Sequence, residues 1–120
     1  VFTADGELLV VREDVGRHNA VDKALGWGLL AGPGAFAEHV LLVSGRSSFE
    51  IMQKALAGRL PIVAAVSAPS SLAVQFAQES GQTLVGFLRD GGMNVYAGAE
   101  RVGIPDRIPD RTMDRTPDRT

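Results

Sequence analysis

An alternation of apolar runs and helical segments between residues 40 and 88 constrains the fold of this chain more than any other feature. Three runs of strand length, at 40–43, 61–66 and 83–88, are almost free of polar side chains, as in strands that are covered on both faces. A segment with helical spacing of apolar residues follows each of the first two runs. Strand, helix, strand, helix and strand with short connections predict βαβ units, right-handed crossovers and a mostly parallel sheet.

Both helical segments have a start signal in the sequence. The first begins at Ser47-Ser48-Phe49-Glu50, which matches a capping box. Its helical spacing is carried by Phe49, Met52, Gln53 and Leu56. The second begins at Ser70-Ser71 and ends at Gly81. Its inner side is predicted to contain Leu72, Ala73, Phe76 and Ala77.

The N-terminal part of the sequence adds a hairpin and a further helix. Asp5-Gly6 is a strong turn dipeptide, and it precedes a strand predicted over 7–12. A helix is predicted from Asn19, which has an acid three residues later in a capping arrangement, to Gly32-Pro33-Gly34. One face of this helix is predicted to contain Val21, Leu25 and Leu29. Residues 94–96 add a short edge strand after the last apolar run.

Composition excludes several classes of protein. A chain of 120 residues accommodates one domain, and its formal net charge of −2 provides no basic field for nucleic acid or anionic membranes. Its apolar runs are far shorter than the roughly 20 residues of a membrane span, and its N-terminus lacks the pattern of a signal peptide. The absence of cysteine excludes disulfides and thiolate metal sites and fits a cytoplasmic protein.

The composition changes near Gly103. A tetrapeptide repeat occupies residues 105–120, and each unit pairs one acid with one base. Its prolines exclude a regular helix, and it has too few apolar residues for a core. We therefore expect an α/β domain over residues 1–103 and a disordered tail over 104–120.

Four polar clusters each follow a predicted strand. They are residues 13–19, 44–48, 67–71 and 89–92. Because ligands bind at the carboxyl ends of parallel strands, these clusters are expected to line one edge of the sheet. The arginines at 17, 46 and 89 can hold phosphate through paired donors, and the serines open helices whose free N–H groups attract anions. A phosphate-bearing ligand such as a nucleotide is the natural inference.

Each of these features also has a purely structural explanation, and only their joint pattern favours a ligand site. A serine at a helix start is commonly just a cap, a single arginine is commonly an ion-paired surface residue, and His18 can be a packing residue. The dinucleotide-binding Gly-x-Gly-x-x-Gly, the Walker loop and the Gly-x-Ser-x-Gly elbow do not occur. The histidines at 18 and 39 lack metal-ligand spacing.

Two long segments of the chain resemble a known family. EDVGRHNAVDKALG (13–26) and SGRSSFEIMQKALAGRLPIVAAVSAPSSLAVQFAQESGQTLVGFLRDGGMNVY (44–96) are similar to the C-terminal half of the FdhD family of formate dehydrogenase accessory sulfurtransferases. The resemblance covers about residues 3 to 98. It implies a cytidine-deaminase-like, three-layer α/β/α sandwich with a mostly parallel sheet and no zinc site.

The resemblance also implies a cofactor and partners. The family takes sulfur from a cysteine desulfurase and passes it to bis-molybdopterin guanine dinucleotide, the molybdenum cofactor, for the catalytic subunit of formate dehydrogenase. A homodimer is expected, without nucleic acid or membrane, and GDP serves as a mimic of the cofactor. The family's cofactor-contacting stretch corresponds to Phe87, Leu88, Arg89, Asp90, Gly91 and Gly92.

Three further site residues come from the sheet-edge argument alone: Arg17, His18 and Arg46. At Gly92 many relatives have a basic residue, so this contact departs from the family's pattern.

The family's sulfur carrier is a cysteine in a Cys-x-x-Cys loop just before the first strand of this sequence. The chain is therefore expected to be a fragment that holds the cofactor and has no sulfurtransferase activity by itself. The alternatives are a non-catalytic nucleotide-binding or dimerisation module, or an inactive gene fragment.

Overall fold

The computed structural model of this chain describes residues 1–13, 16–32 and 34–102, with only the backbone of Arg17. The tail predicted over 104–120 lies outside the described residues. In the described part, no helix is long and apolar enough to cross a membrane.

Four strands of the described part form one sheet, in the order in which they follow each other along the chain. Strands β1 (Val40–Val43), β2 (Ile62–Ala65) and β3 (Thr83–Arg89) run parallel to each other. Strand β4 (Gly92–Ala97) returns antiparallel to β3 and extends the edge strand predicted at 94–96. The predicted α/β class and mostly parallel sheet are confirmed.

Three helices pack on one face of this sheet: α1 (Arg17–Ala31), α2 (Phe49–Ala57) and α3 (Ser71–Ser80). Helices α2 and α3 connect successive parallel strands in the same direction across the sheet, so both lie on the same face of it. All three helices contribute to a single apolar core. The core contains Val21, Ala24, Ile51, Met52, Ala55, Ala73 and Ala77 from the helices and Leu41, Val43, Val63, Ala65 and Leu84 from the sheet.

The opposite face of the sheet has a much smaller apolar cluster. It is centred on Ala64, Val85 and Val95, with the 3₁₀ turn Ala99–Arg101 beside it. Leu42, in the edge strand β1, is 37% exposed. The described residues thus supply the sheet and one helical layer of the three-layer sandwich that the resemblance implies.

The starts of α2 and α3 are each capped by a serine. The Ser48 hydroxyl accepts a hydrogen bond from the Ile51 N–H (3.2 Å), so the cap of α2 lies one residue after the predicted Ser47. The Ser70 hydroxyl accepts one from the Ala73 N–H (3.1 Å). The predicted end of α3 is confirmed by Gly81, whose φ of 83° is in the left-handed region that glycine adopts without strain.

Several apolar side chains face solvent although the spacing predicted them to be inside. Leu56 is 44% exposed and Leu72 is 62% exposed. The buried positions of α2 are Ile51, Met52 and Ala55, and those of α3 are the two alanines alone. The two alanines of α3 are fully buried, Phe76 is partly buried and packs against the core as predicted, and Leu72 faces solvent.

The first helix differs more from its prediction. It begins at Arg17 after Gly16, two residues before the predicted start near Asn19, and it has no side-chain cap, so the predicted Asn19 cap is wrong. Leu29 is 83% exposed. Gly28 faces the core instead, where the Phe36 ring occupies the space that a Cβ on this glycine would need.

The predicted N-terminal turn forms, but the strand over 7–12 does not. Gly6 has a φ of 91°, and Phe2 makes isolated antiparallel bridges to Leu8 on one side and to Val40 of β1 on the other. This short hairpin extends the sheet beyond β1. The predicted segment forms only the isolated bridge at Leu8 among the described residues; Glu7 accepts from the Thr3 N–H and Leu9 donates to the Val1 carbonyl, without building a regular ladder.

Candidate functional site

The polar loops that follow β1, β2 and β3 lie side by side at the carboxyl edge of the parallel strands. The Ser70 N–H donates to the Ser47 carbonyl (2.9 Å), and the Phe87 N–H donates to the Ser67 carbonyl (3.2 Å). A parallel bridge between Ser47 and Pro69 adds to the first contact. These backbone bonds join the predicted clusters 44–48 and 67–71 directly, and they hold β3 beside them two residues before the cluster 89–92 begins.

Residues 16–19 of the fourth cluster, 13–19, reach the same edge without the strand that was predicted to precede them. Two side-chain contacts show that helix α1 runs beside α2 in the same direction. His18 Nδ1 is 3.8 Å from Glu50 Oε2 near the starts of the helices, and Asp22 Oδ1 is 2.7 Å from Lys54 Nζ one turn further along both. The N-terminus of α1 therefore lies next to the N-terminus of α2. Residues 14 and 15 and the side chain of Arg17 lie outside the described residues.

The described site residues differ in exposure and partners. The Arg46 side chain is exposed and makes no hydrogen bond or ion pair with any residue that the structure describes. The His18 side chain is 32% exposed and faces the Glu50 carboxylate at the distance of an ion pair. Arg46 thus offers a free cation at the edge, whereas His18 already has an acidic neighbour.

The stretch Phe87–Gly92 forms the end of β3, a tight turn and the start of β4. Asp90 and Gly91 form its exposed tip, with a φ of 77° at the glycine. The Arg89 side chain folds along the hairpin, where Nη1 donates to the Phe87 carbonyl (3.2 Å). A Cβ on Gly92 would lie 3.5 Å from the Arg89 guanidinium, an ordinary contact. Position 92 therefore has room for a larger side chain.

Phe87 has an unusual backbone conformation for a residue with a side chain. Its φ of 52° is in the left-handed region, and it lies within a register shift of the β3–β4 pair between Gly86 and Arg89. A bulge of this kind changes the direction of a side chain, and the Phe87 ring packs against the main core. Such strain, of about 1–3 kcal/mol, is concentrated at functional sites.

Gly86 holds the hairpin against the loop after β2. A Cβ at this position would lie 2.9 Å from the Tyr96 ring, 3.1 Å from Pro69 and 3.2 Å from the Ser67 carbonyl oxygen. Only a residue without a side chain allows this approach. The glycine thus fixes the spacing between two of the polar loops.

Two buried polar residues were not named as site residues by the sequence reasoning. Ser47 and Asn94 are each only 1% exposed, and Ser47 Oγ and Asn94 Nδ2 have no hydrogen-bond partner among the described residues. Ser47 was predicted as a helix cap within the polar cluster 44–48, and Asn94 only as part of an edge strand. A polar residue next to apolar strand residues is the one signal that could have marked Asn94.

The remaining titratable and concave features lie elsewhere. In the described ranges no three His, Cys, Asp or Glu side chains gather to hold a metal ion. His39 Nδ1 is 2.6 Å from the Ala37 carbonyl, as expected for a structural role. A cavity of about 530 Å³ lies between the C-terminal ends of α1 and α2, away from the polar edge; its lining includes Leu25, Phe36 and Arg59.

Comparison with protein families gives one match over nearly the whole described chain. The model of the FdhD/NarQ family matches residues 1–103. A solved structure of a candidate formate dehydrogenase accessory protein from Desulfotalea psychrophila superimposes with a TM-score of 0.67 at 40% identity. The match covers 75% of this chain and 40% of that chain.

Curated proteins similar to this chain are considerably longer than it is. The sulfur carrier protein FdhD of Streptomyces coelicolor is 62% identical over 104 residues, which are 87% of this chain and 37% of the relative. Its counterpart in Mycobacterium tuberculosis is 58% identical, with 85% and 37% covered. The one in Saccharolobus solfataricus is 46% identical, with 85% and 40% covered. The chain thus spans less than half the length of these relatives.

Proposed function

Because this chain belongs to the FdhD/NarQ family, we propose that it is the cofactor-binding part of a sulfur carrier that serves formate dehydrogenase. The observation that supports the proposal most is the convergence of three polar loops and the α1 N-terminus at one edge of the sheet. Ligands of open α/β sheets bind at this kind of edge. The relatives are named sulfur carrier proteins, and the solved structure is that of a candidate accessory protein of formate dehydrogenase.

The donor set at this edge fits a phosphate-bearing cofactor. Arg46 has no acidic partner in the described part, Arg89 has only a carbonyl, and the Ser47 hydroxyl has no acceptor. An excess of donors over acceptors is what a polyanionic ligand requires. In bis-molybdopterin guanine dinucleotide, the molybdenum centre would supply the chemistry that receives sulfur, and these residues would bind and orient the nucleotide.

Within this proposal the residues of the edge have distinct roles. Arg46 and Arg89 bind phosphate groups, since a guanidinium offers two parallel donors. The hairpin residues Phe87–Gly92 contact the rest of the nucleotide, with the exposed tip at Asp90 and Gly91. His18 lies beside Glu50 and is available to donate from its ring to the same ligand.

Sulfur transfer itself requires a thiolate, which this chain does not contain. In the proposal a cysteine elsewhere in the longer family protein carries the sulfur as a persulfide that it receives from a cysteine desulfurase. The transfer to the cofactor takes place in the cytoplasm, in a homodimer. The alternative, a nucleotide-binding module with no connection to sulfur transfer, is favoured by the same absence of cysteine.

Calorimetry with guanine and adenine nucleotides tests the proposal. We expect GDP to bind and ATP to bind more weakly, and we expect Arg46→Ala and Arg89→Ala each to weaken GDP about tenfold, which corresponds to one charge-assisted contact. Arg59→Ala is the matched control, because this exposed arginine lies beyond α2 at the opposite end of the helices. Equal effects of all three substitutions, or no binding of GDP, would contradict the proposal.

Sulfur transfer distinguishes the main proposal from its alternative. The full-length family protein is expected to take labelled sulfur from a desulfurase and to load the cofactor, whereas this chain alone takes up none. A full-length relative that binds GDP but never accepts sulfur would favour the nucleotide-binding module.

A further inference from the structure

The N-termini of α2 and α3 lie next to each other at the polar edge. Their caps, Ser48 and Ser70, are connected because the Ser70 N–H donates to the carbonyl of Ser47, the residue before the first cap. The helices also pack on each other, with an edge-to-face contact of the Phe49 and Phe76 rings at 5.2 Å. The positive N-terminal ends of both helix dipoles therefore lie at the same edge of the sheet.

Each helix presents backbone donors that nothing in the described part accepts from. The caps satisfy the N–H groups of the third residues, and their carbonyls accept from the fourth. The first two N–H groups of each helix have no acceptor among the described residues: Phe49, Glu50, Ser71 and Leu72. Four free donors in two pairs are thus close to each other.

The Ser47 side chain is an independent observation that points to a missing acceptor. Ser47 precedes the Ser48 cap, and its carbonyl accepts from the N–H of the Ser70 cap. It is 1% exposed, and its Oγ has no hydrogen-bond partner among the described residues. A buried donor in a native structure nearly always has an acceptor, which is a protein group, a water molecule or a ligand. No described protein group serves as this acceptor, which leaves a ligand, a water molecule or a residue outside the described part.

Charge at the same place favours an anion over water. Arg46 precedes Ser47, is exposed and has no ion pair in the described part. The acid in the first turn of α2, Glu50, is exposed and lies 3.8 Å from His18 Nδ1 of α1. The two positive helix ends and Arg46 supply the positive charge next to Ser47.

We propose that Ser47, Arg46 and the paired N-termini of α2 and α3 form a binding site for the diphosphate group of a nucleoside diphosphate. Each helix end binds one phosphate, Ser47 Oγ donates to an oxygen between them, and Arg46 covers the outer side. The assignment rests on the proposed function, because it gives the diphosphate of that nucleotide a place at the Arg46 end of the polar edge.

Titrations of pyrophosphate, GDP, GMP and guanosine into the 120-residue chain test this site. We expect pyrophosphate alone to bind and to compete with GDP, and GMP to bind about tenfold more weakly than GDP because it reaches only one helix end. Ser47→Ala is expected to weaken pyrophosphate and GDP about tenfold and to leave guanosine unchanged. Thermal unfolding of the variant shows whether it remains folded, and Arg46→Ala with Arg59→Ala as its control supplies a second test.

The outcomes separate this site from the proposed function. If GDP binds but pyrophosphate does not compete and Ser47→Ala binds GDP like the parent chain, the hydroxyl holds only water and the diphosphate site is wrong while the proposed function stands. If pyrophosphate binds and depends on Ser47 but GDP has no advantage over it, the site stands and the nucleotide function fails. If neither ligand binds, both are wrong.

Discussion

At the scale of single residues, two glycines of α1 give opposite predictions for the same substitution. A Cβ on Gly28 would overlap the Phe36 ring, whereas a Cβ on Gly26 has no atom within 4 Å. Gly28→Ala is therefore expected to lower the free energy of unfolding by about 1–3 kcal/mol through overpacking. Gly26→Ala is expected to raise it by about 0.5–1 kcal/mol through helix propensity. Urea denaturation of both variants measures the difference. A lower free energy of unfolding for both variants would contradict the prediction that the space around each glycine decides the effect.

Gly86 gives a second prediction at this scale, because it connects packing with the polar edge. Gly86→Ala places a Cβ against the Tyr96 ring, Pro69 and the Ser67 carbonyl, so we expect the free energy of unfolding to fall by about 1–3 kcal/mol. Gly92→Ala meets only an ordinary contact with Arg89 and is expected to change the free energy by less than about 0.5 kcal/mol. Equal melting temperatures for the two variants would contradict the close approach at Gly86.

At the scale of elements, three neighbouring serines differ in what their hydroxyls do. Ser48→Ala and Ser70→Ala each remove a cap, and each is expected to cost about 1 kcal/mol of unfolding free energy. Ser47→Ala removes a buried hydroxyl without a partner, so the ligand-free chain should lose no stability. Chemical denaturation without phosphate in the buffer compares the three. A loss at Ser47 as large as at the caps would mean that its hydroxyl has a protein partner.

The elements that the sequence predicts well are those whose signals are local. The apolar runs predicted β1, β2 and β3. The serines at the starts of α2 and α3, and the glycine at the end of α3, predicted these helices. The buried faces of the helices were predicted less well. Whether Leu29 is buried depends on the Phe36 ring, which packs against Gly28 of the same helix. Whether Leu72 is buried depends on the two alanines of α3, which occupy the buried positions instead. These contacts join positions that no periodicity connects.

The candidate site was predictable in its location but not in its details. The rule for carboxyl ends of parallel strands placed the loops after β1, β2 and β3 correctly. It also predicted residues 13–19 at this edge, after a strand that does not form; the alignment of α1 with α2 brings residues 16–19 there. The unpartnered donors of Ser47 and Asn94 depend on burial, which no local pattern reports.

At the scale of the whole molecule, α1 shares its core with the sheet, so we expect one unfolding transition. Val21 and Ala24 belong to the same cluster as Leu41 and Val63. Trp27, in α1, is the single tryptophan of the chain, and its ring stacks on that of Phe36 at 5.9 Å. Tryptophan fluorescence therefore reports on whether α1 remains packed against Phe36. We expect its urea midpoint to coincide with that of far-ultraviolet circular dichroism. An earlier fluorescence transition would mean that α1 detaches before the sheet unfolds.

The sheet order β1-β2-β3-β4 repeats the order of the strands along the chain, which bears on how the molecule forms during synthesis. Every strand after the first pairs with the one made just before it, so no strand has to wait for a distant segment to leave the ribosome. Pairing between sequence neighbours also keeps the closed loops short, which favours fast folding. The loops after β1, β2 and β3 thus reach the polar edge one after another, the last of them when the β3–β4 hairpin closes.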